Sequence, residues 1–66
     1  MKNNLRVARA ERRITQQQLA DGVGVSRQTI HAIENGRFVP SALLALKIAR
    51  FFGKAVEELF QLGEED

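Results

Sequence analysis

Two short segments of this chain begin in the same way, and a glycine turn stands between them. In Ile14-Thr15-Gln16-Gln17-Gln18-Leu19, Thr15 can cap a helix, Gln18 can complete a capping box, and Ile14 and Leu19 can form a hydrophobic staple. Ser26 repeats the cap, and Val25 and Ile30 repeat the staple. Between the two lies Gly22-Val23-Gly24, where Gly24 suits a sharp left-handed turn. Two short helices joined by a tight turn are predicted. Gly22 falls inside the first of them, at a cost of about 1 kcal/mol relative to alanine.

The rest of the chain supports an all-α fold. No useful period-2 alternation occurs, and only Pro40 and the glycines punctuate the sequence. Helices are expected near 4–13, 16–23, 27–35, 42–52 and 56–61, forming one compact five-helix domain over 1–66 with an acidic tail at about 63–66. There is no cysteine, and His31 is the only histidine, so neither a disulfide nor a metal staples this small core. Helix packing and a partner must supply the stability. The first residues lack an apolar signal core, and no apolar run approaches a membrane span, which points to a cytoplasmic protein.

Charge is unevenly placed although the net value is only +2. Residues 1–13 hold Lys2, Arg6, Arg9, Arg12 and Arg13 against Glu11, while residues 55–66 hold Glu57, Glu58, Glu64, Glu65, Asp66 and no base. A basic body with an acidic tail is compatible with a polyanionic partner, because only the field at the contact surface must be positive. Scattered solvated charge is the plainer reading of the same pattern.

A helical wheel of 27–35 sharpens the choice. Ile30 and Ile33 define a buried side, and opposite them stand Gln28, His31, Ala32 and Asn35, with Arg27 at the helix start. Glutamate and lysine, the usual solubilising residues, are absent from that face. Arginine can donate two hydrogen bonds to guanine, glutamine can pair with adenine, and alanine can meet a thymine methyl. Arg27, Gln28 and Ala32 are therefore the candidate base readers. The start of the preceding helix presents Gln16 and Gln17 with free backbone N–H groups, which suit a phosphate. Ser26 and Thr29 are supporting residues at the helix start, and His31 either meets DNA or is simply solvated.

No enzyme constellation is present: there is no Ser-His-Asp set, no cysteine nucleophile and no G-x-x-x-x-G-K loop. No cofactor is implied. Phe51, Phe52 and Phe60 lie in apolar helical stretches and read as core or interface rather than a base-stacking platform, whereas Phe38 sits in a loop. The helix at 42–52 is apolar nearly all round, with only Lys47 and Arg50 polar. Such a helix is buried by more than its own small core, so a homodimer interface is expected from Leu43, Val56, Leu59, Phe60 and Leu62.

The run TQQQLADGVGVSRQTIHAIENG, Thr15 to Gly36, resembles the Cro and phage-repressor type of helix-turn-helix, especially short stand-alone bacterial regulators. Pro40-Ser41, Leu44-Ala45-Leu46 and Ile48-Ala49 extend the resemblance, which covers roughly 4–60. It implies a lambda-repressor-like domain with the third helix in the major groove. It further implies that Gln16 binds phosphate and steadies Gln28, that Asn35 and Arg37 meet the DNA backbone, and that Arg9 and Glu34 form a partly buried salt bridge. Ala55 departs from the family by standing where a capping Ser or Thr is frequent. The function implied is a homodimeric regulator, a repressor, on a pseudo-palindromic duplex. Alternatives are an antitoxin-like protein-interaction module, or a controller protein of a restriction-modification system or phage switch.

Overall fold

The computed structural model describes residues 1–66. The elements are β1 (Lys2–Asn3), α1 (Leu5–Arg12), α2 (Gln16–Val23), α3 (Arg27–Glu34), α4 (Ala42–Phe52), α5 (Val56–Leu59) and β2 (Phe60–Gln61). The five expected helices are all present. No helix is long and apolar enough to cross a membrane.

Local chemistry sets the helix ends. The Thr15 hydroxyl accepts from the Gln18 backbone N–H at 3.0 Å, and the Gln18 side chain accepts from the Thr15 N–H at 2.8 Å, which completes the capping box. Ser26 caps α3 through the Thr29 N–H at 3.2 Å, and Ser41 caps α4 through the Leu44 N–H at 3.1 Å. Gly24 takes up the left-handed conformation, with φ 77°, that turns the chain from α2 towards α3. Arg13, with φ 56°, is the one non-glycine residue in that region and ends α1.

Thirteen buried apolar residues make the core. Leu5 and Ala8 enter from α1, Leu19, Ala20 and Val23 from α2, and Ile30 and Ile33 from α3. From the other side come Leu44, Ile48, Ala49 and Phe52 of α4, with Leu59 and Phe60. Ile14 and Val25, the outer members of the two staples, pack half-buried against this cluster. Gly22 is exposed, yet a Cβ there would overlap the Phe51 ring, lying 2.8 Å from Cδ2. The missing side chain is what lets α4 approach α2.

The chain ends differ from the expected pattern. The last helix stops at Leu59 rather than at 61, because Phe60 and Gln61 are extended and pair with the N-terminus; its start at Ala55 has no side-chain cap. The backbone there pairs antiparallel with the N-terminus, Lys2 opposite Gln61 and Asn3 opposite Phe60. The Asn4 N–H donates to the Leu59 carbonyl at 2.8 Å, which continues the ribbon into α1.

Candidate nucleic-acid interface

The outward face of α3 is built on a buried ionic anchor. Glu34, in the last turn of α3, has a fully buried side chain (0% exposed). Arg9 of α1 reaches it twice, Nε to Oε2 at 2.6 Å and Nη2 to Oε1 at 3.0 Å, and donates a third bond from Nη1 to the Ile14 carbonyl at 3.1 Å. Arg6 Nε lies 3.8 Å from the same carboxylate but stays 70% exposed. Burial would push the Glu34 carboxyl up. Hydrogen bonds from Arg9 and Gln16, then the charges of Arg9 and Arg6, outweigh it and hold the group below its ordinary value. The bond to Glu34 in turn raises the Arg9 guanidinium above its usual value against the opposing effect of burial.

Gln16, the first residue of α2, joins this anchor. Its amide nitrogen donates to Glu34 Oε1 at 3.2 Å and lies 3.4 Å from His31 Nδ1. Gln16 was expected to steady Gln28; the short reach between α2 and the end of α3 gives it Glu34 and His31 instead. Gln17 is turned along its own helix and donates to Asp21 at 2.8 Å.

Along α3, Arg27 and Gln28 are both exposed, and Arg27 belongs to no ion pair within the chain. Ala32 is half-buried at the edge of this face. The Ser26 and Thr29 hydroxyls lie 3.0 Å apart, so both belong to the helix cap. Asn35 closes the far end: its amide nitrogen donates to the His31 carbonyl at 3.0 Å and stands 3.0 Å from His31 Nε2. Arg37 is exposed just beyond. The structure thus assembles Gln16, Arg27, Gln28, His31, Asn35 and Arg37 around one helix, with Gln17 on the adjoining turn.

Two contributors escaped sequence reasoning. Arg12 looked like part of a basic N-terminal segment, but its guanidinium donates to the Phe51 and Phe52 carbonyls at 3.0 and 2.6 Å and lies 5.5 Å from the Phe52 ring centre. It caps α4 rather than facing the partner. Asn3 donates to the Ile33 carbonyl at 2.8 Å and accepts from the Leu5 N–H at 3.2 Å, tying the ribbon to the end of α3. Neither residue lies in a motif that spacing could reveal.

The expected dimer surface needs correction. Leu59 and Phe60 are only 1% and 7% exposed and belong to the chain's own core, because the helix ends between them and turns Phe60 inward. Val56 is half-buried, whereas Leu43 and Leu62 are 64% and 79% exposed. Leu46, one turn from Leu43, is exposed as well.

A helix-turn-helix family model matches residues 5–59, nearly all of the five-helix body. The chain belongs to the Cro/C1-type helix-turn-helix family. Within this helix-turn-helix family it is 55% identical to an uncharacterized HTH-type transcriptional regulator of Methanocaldococcus jannaschii, across all of this chain and 98% of that protein. It is 48% identical to the uncharacterized HTH-type transcriptional regulator YgzD of Bacillus subtilis, with both chains covered completely. A cryptic phage CTXphi transcriptional repressor, RstR of Vibrio cholerae, is 35% identical over 94% of this chain and 56% of its own length. For a helix-turn-helix protein the geometry is consistent: α2 and α3 are the bihelical unit, and α3 carries the uncommitted polar side chains.

Proposed function

We propose that this protein is a sequence-specific, double-stranded DNA-binding transcriptional regulator of the cytoplasm, a repressor that binds a pseudo-palindromic operator as a homodimer. The observation that carries the reading is the pair Arg27 and Gln28, exposed at the start of a helix whose far end is fixed by the buried Glu34 anchor. Free donors on a rigid helix suit base edges in the major groove, Arg27 for guanine and Gln28 for adenine, with Ala32 beside a thymine methyl. Gln16, Gln17, Asn35 and Arg37 flank that helix and serve the backbone, with Ser26 and Thr29 shaping its start. Repression follows from occupying promoter DNA, and the phage repressor among the relatives supports that sense of regulation.

Two copies would place their recognition helices about 34 Å apart, one turn of DNA. Leu43, Val56 and Leu62 remain the surface for that pairing. Selection of bound duplexes from a random pool at near-physiological salt tests the whole reading. An inverted repeat with half-site centres about 10 base pairs apart is the expected outcome. Failure to enrich any duplex would reject it. The exposed Leu43 and Leu46 favour a second reading, a module that docks on another protein. A stable heterocomplex with no sequence preference for DNA would distinguish it.

A further inference from the structure

Exposed leucine and unpaired charge occur together at two places in this chain. On α4, Leu43 and Leu46 are 64% and 59% exposed, and the exposed Lys47 and Arg50 stand one turn beyond them on the same side of the helix. Neither cation has an ion-pair partner within the chain. After β2, Leu62 is 79% exposed and is followed by the exposed Glu64 and Glu65, which are also without ion pairs. Each segment runs from apolar to charged, and the charges are opposite in sign.

The spacings agree as well. One turn of helix from leucine to cation rises about 6 Å, and the extended chain from Leu62 to Glu64 and Glu65 spans about 7 to 10 Å. Asp66 is already engaged: its carboxylate accepts from the Gly63 N–H at 2.6 Å and pairs with the Met1 ammonium at 3.2 Å. Those bonds turn the tail back on its own N-terminus, and Glu64 and Glu65 reach no cation of their own α4.

Lys47 and Arg50 also line an open hollow of about 540 Å³ between α4 and the end of α2, where Asp21 is the one acid. Asp21 accepts from Gln17 at 2.8 Å, and the two cations leave the hollow net positive. Residues 21–24 of its wall lie at the far end of α2 from Gln16, about 10 Å along the helix axis. The cations are therefore set apart from the side assigned to DNA phosphate.

We propose that residues 62–65 of a second copy lie along α4, with Leu62 against Leu43 and Leu46 and the two glutamates on Lys47 and Arg50. The same contact is made in return across a two-fold axis. This rests on the homodimer reading above and names the segment that each protomer lends to the other. Seating the glutamates also neutralises negative charge on a protein that must approach a polyanion.

The test is sedimentation equilibrium of the intact protein without DNA. The wild type should dimerise, and more weakly as salt rises. A variant carrying Lys47→Glu and Arg50→Glu, and another carrying Glu64→Lys and Glu65→Lys, should each dimerise at least about tenfold more weakly, because like charges then meet at both seats. All four positions are exposed, so the fold is kept. Mixed in equal amounts, the two variants should form a heterodimer of about wild-type affinity, since opposite charges face each other at both of its seats. Undiminished dimerisation of either variant, or a mixture that does not recover, would overturn this seating and leave a homodimer built on another surface. A wild type that stays monomeric at millimolar concentration would overturn the homodimer reading with it. Duplex selection reports on the DNA reading separately, because no DNA enters this measurement.

Discussion

Arg9 crosses from α1 to grip Glu34 of α3 through two hydrogen bonds, and the carboxylate it grips is wholly buried. Removing Arg9 leaves the buried Glu34 charge with only Gln16 and the distant, exposed Arg6. Arg9→Met is therefore expected to cost about 3 kcal/mol or more, while Arg9→Met combined with Glu34→Leu should cost much less. Urea unfolding of the two single variants and the double variant checks this. Additive losses would show that the pair is not coupled.

The same ion pair makes stability depend on pH. Glu34 titrates below its ordinary value in the folded protein, so its contribution is fully present above the unfolded carboxylate range. It is lost as pH falls through the lowered folded value. Unfolding free energy should fall in acid, and Glu34→Gln should show a shallower decline over that window than the wild type. Denaturant titrations from pH 7 to pH 3 measure the difference, and parallel curves would assign the acid sensitivity elsewhere.

Gly22 and Phe51 set two effects against each other. Gly22→Ala gains about 1 kcal/mol of helix propensity, but the added methyl overlaps a ring that packs edge-on against Phe52 with centres 5.2 Å apart. Overpacking of this kind costs about 1 to 3 kcal/mol. A net loss of stability is expected for Gly22→Ala alone. In a Phe51→Leu background the same change should be neutral or stabilising. Thermal midpoints of the four proteins decide it.

Much of this architecture was legible in the sequence because it is written in local chemistry. Thr15, Gln18, Gly24 and Ser26 act within four residues of themselves, and Leu19, Ile30 and Ile33 follow helical spacing. The ribbon was not legible, since a two-residue strand has no periodicity and Asn3 finds Phe60 only after folding. Leu59 and Phe60 look like one apolar helical run, yet a helix of four residues leaves both in the core. Arg12 is indistinguishable from a solvated arginine until α4 ends beneath it. On the outward face of α3 the exposure of Arg27 and Gln28 was legible from helical spacing, whereas the contact of Gln16 with Glu34 depended on how α2 meets α3.

Positive charge divides by what it already touches. Arg12 is committed to the end of α4, while Arg37 is exposed without an ion-pair partner. Arg12→Gln should reduce stability by about 1 to 2 kcal/mol through lost carbonyl and ring contacts and leave the salt dependence of DNA binding unchanged. Arg37→Ala should do the reverse, lowering the slope of log K against log salt by about 1. Equal slopes for both variants would remove Arg37 from the backbone contacts.

Base reading and backbone contact make different demands on a side chain. Arg27 and Gln28 are exposed at the start of α3 and free to follow base edges, whereas Gln16 is held by Glu34. Arg27→Ala and Gln28→Ala should each lose about 1 to 3 kcal/mol on the selected duplex and relax preference at one base pair of each half-site. Gln16→Ala should weaken binding to every sequence by the same factor, because a phosphate carries no base identity. Affinities of the three variants for the selected duplex and its single-base changes separate the roles. If Gln16→Ala altered base preference, the released Glu34 anchor would be shifting α3 in the groove, and specificity would rest on the orientation of the helix as well as on its two exposed readers.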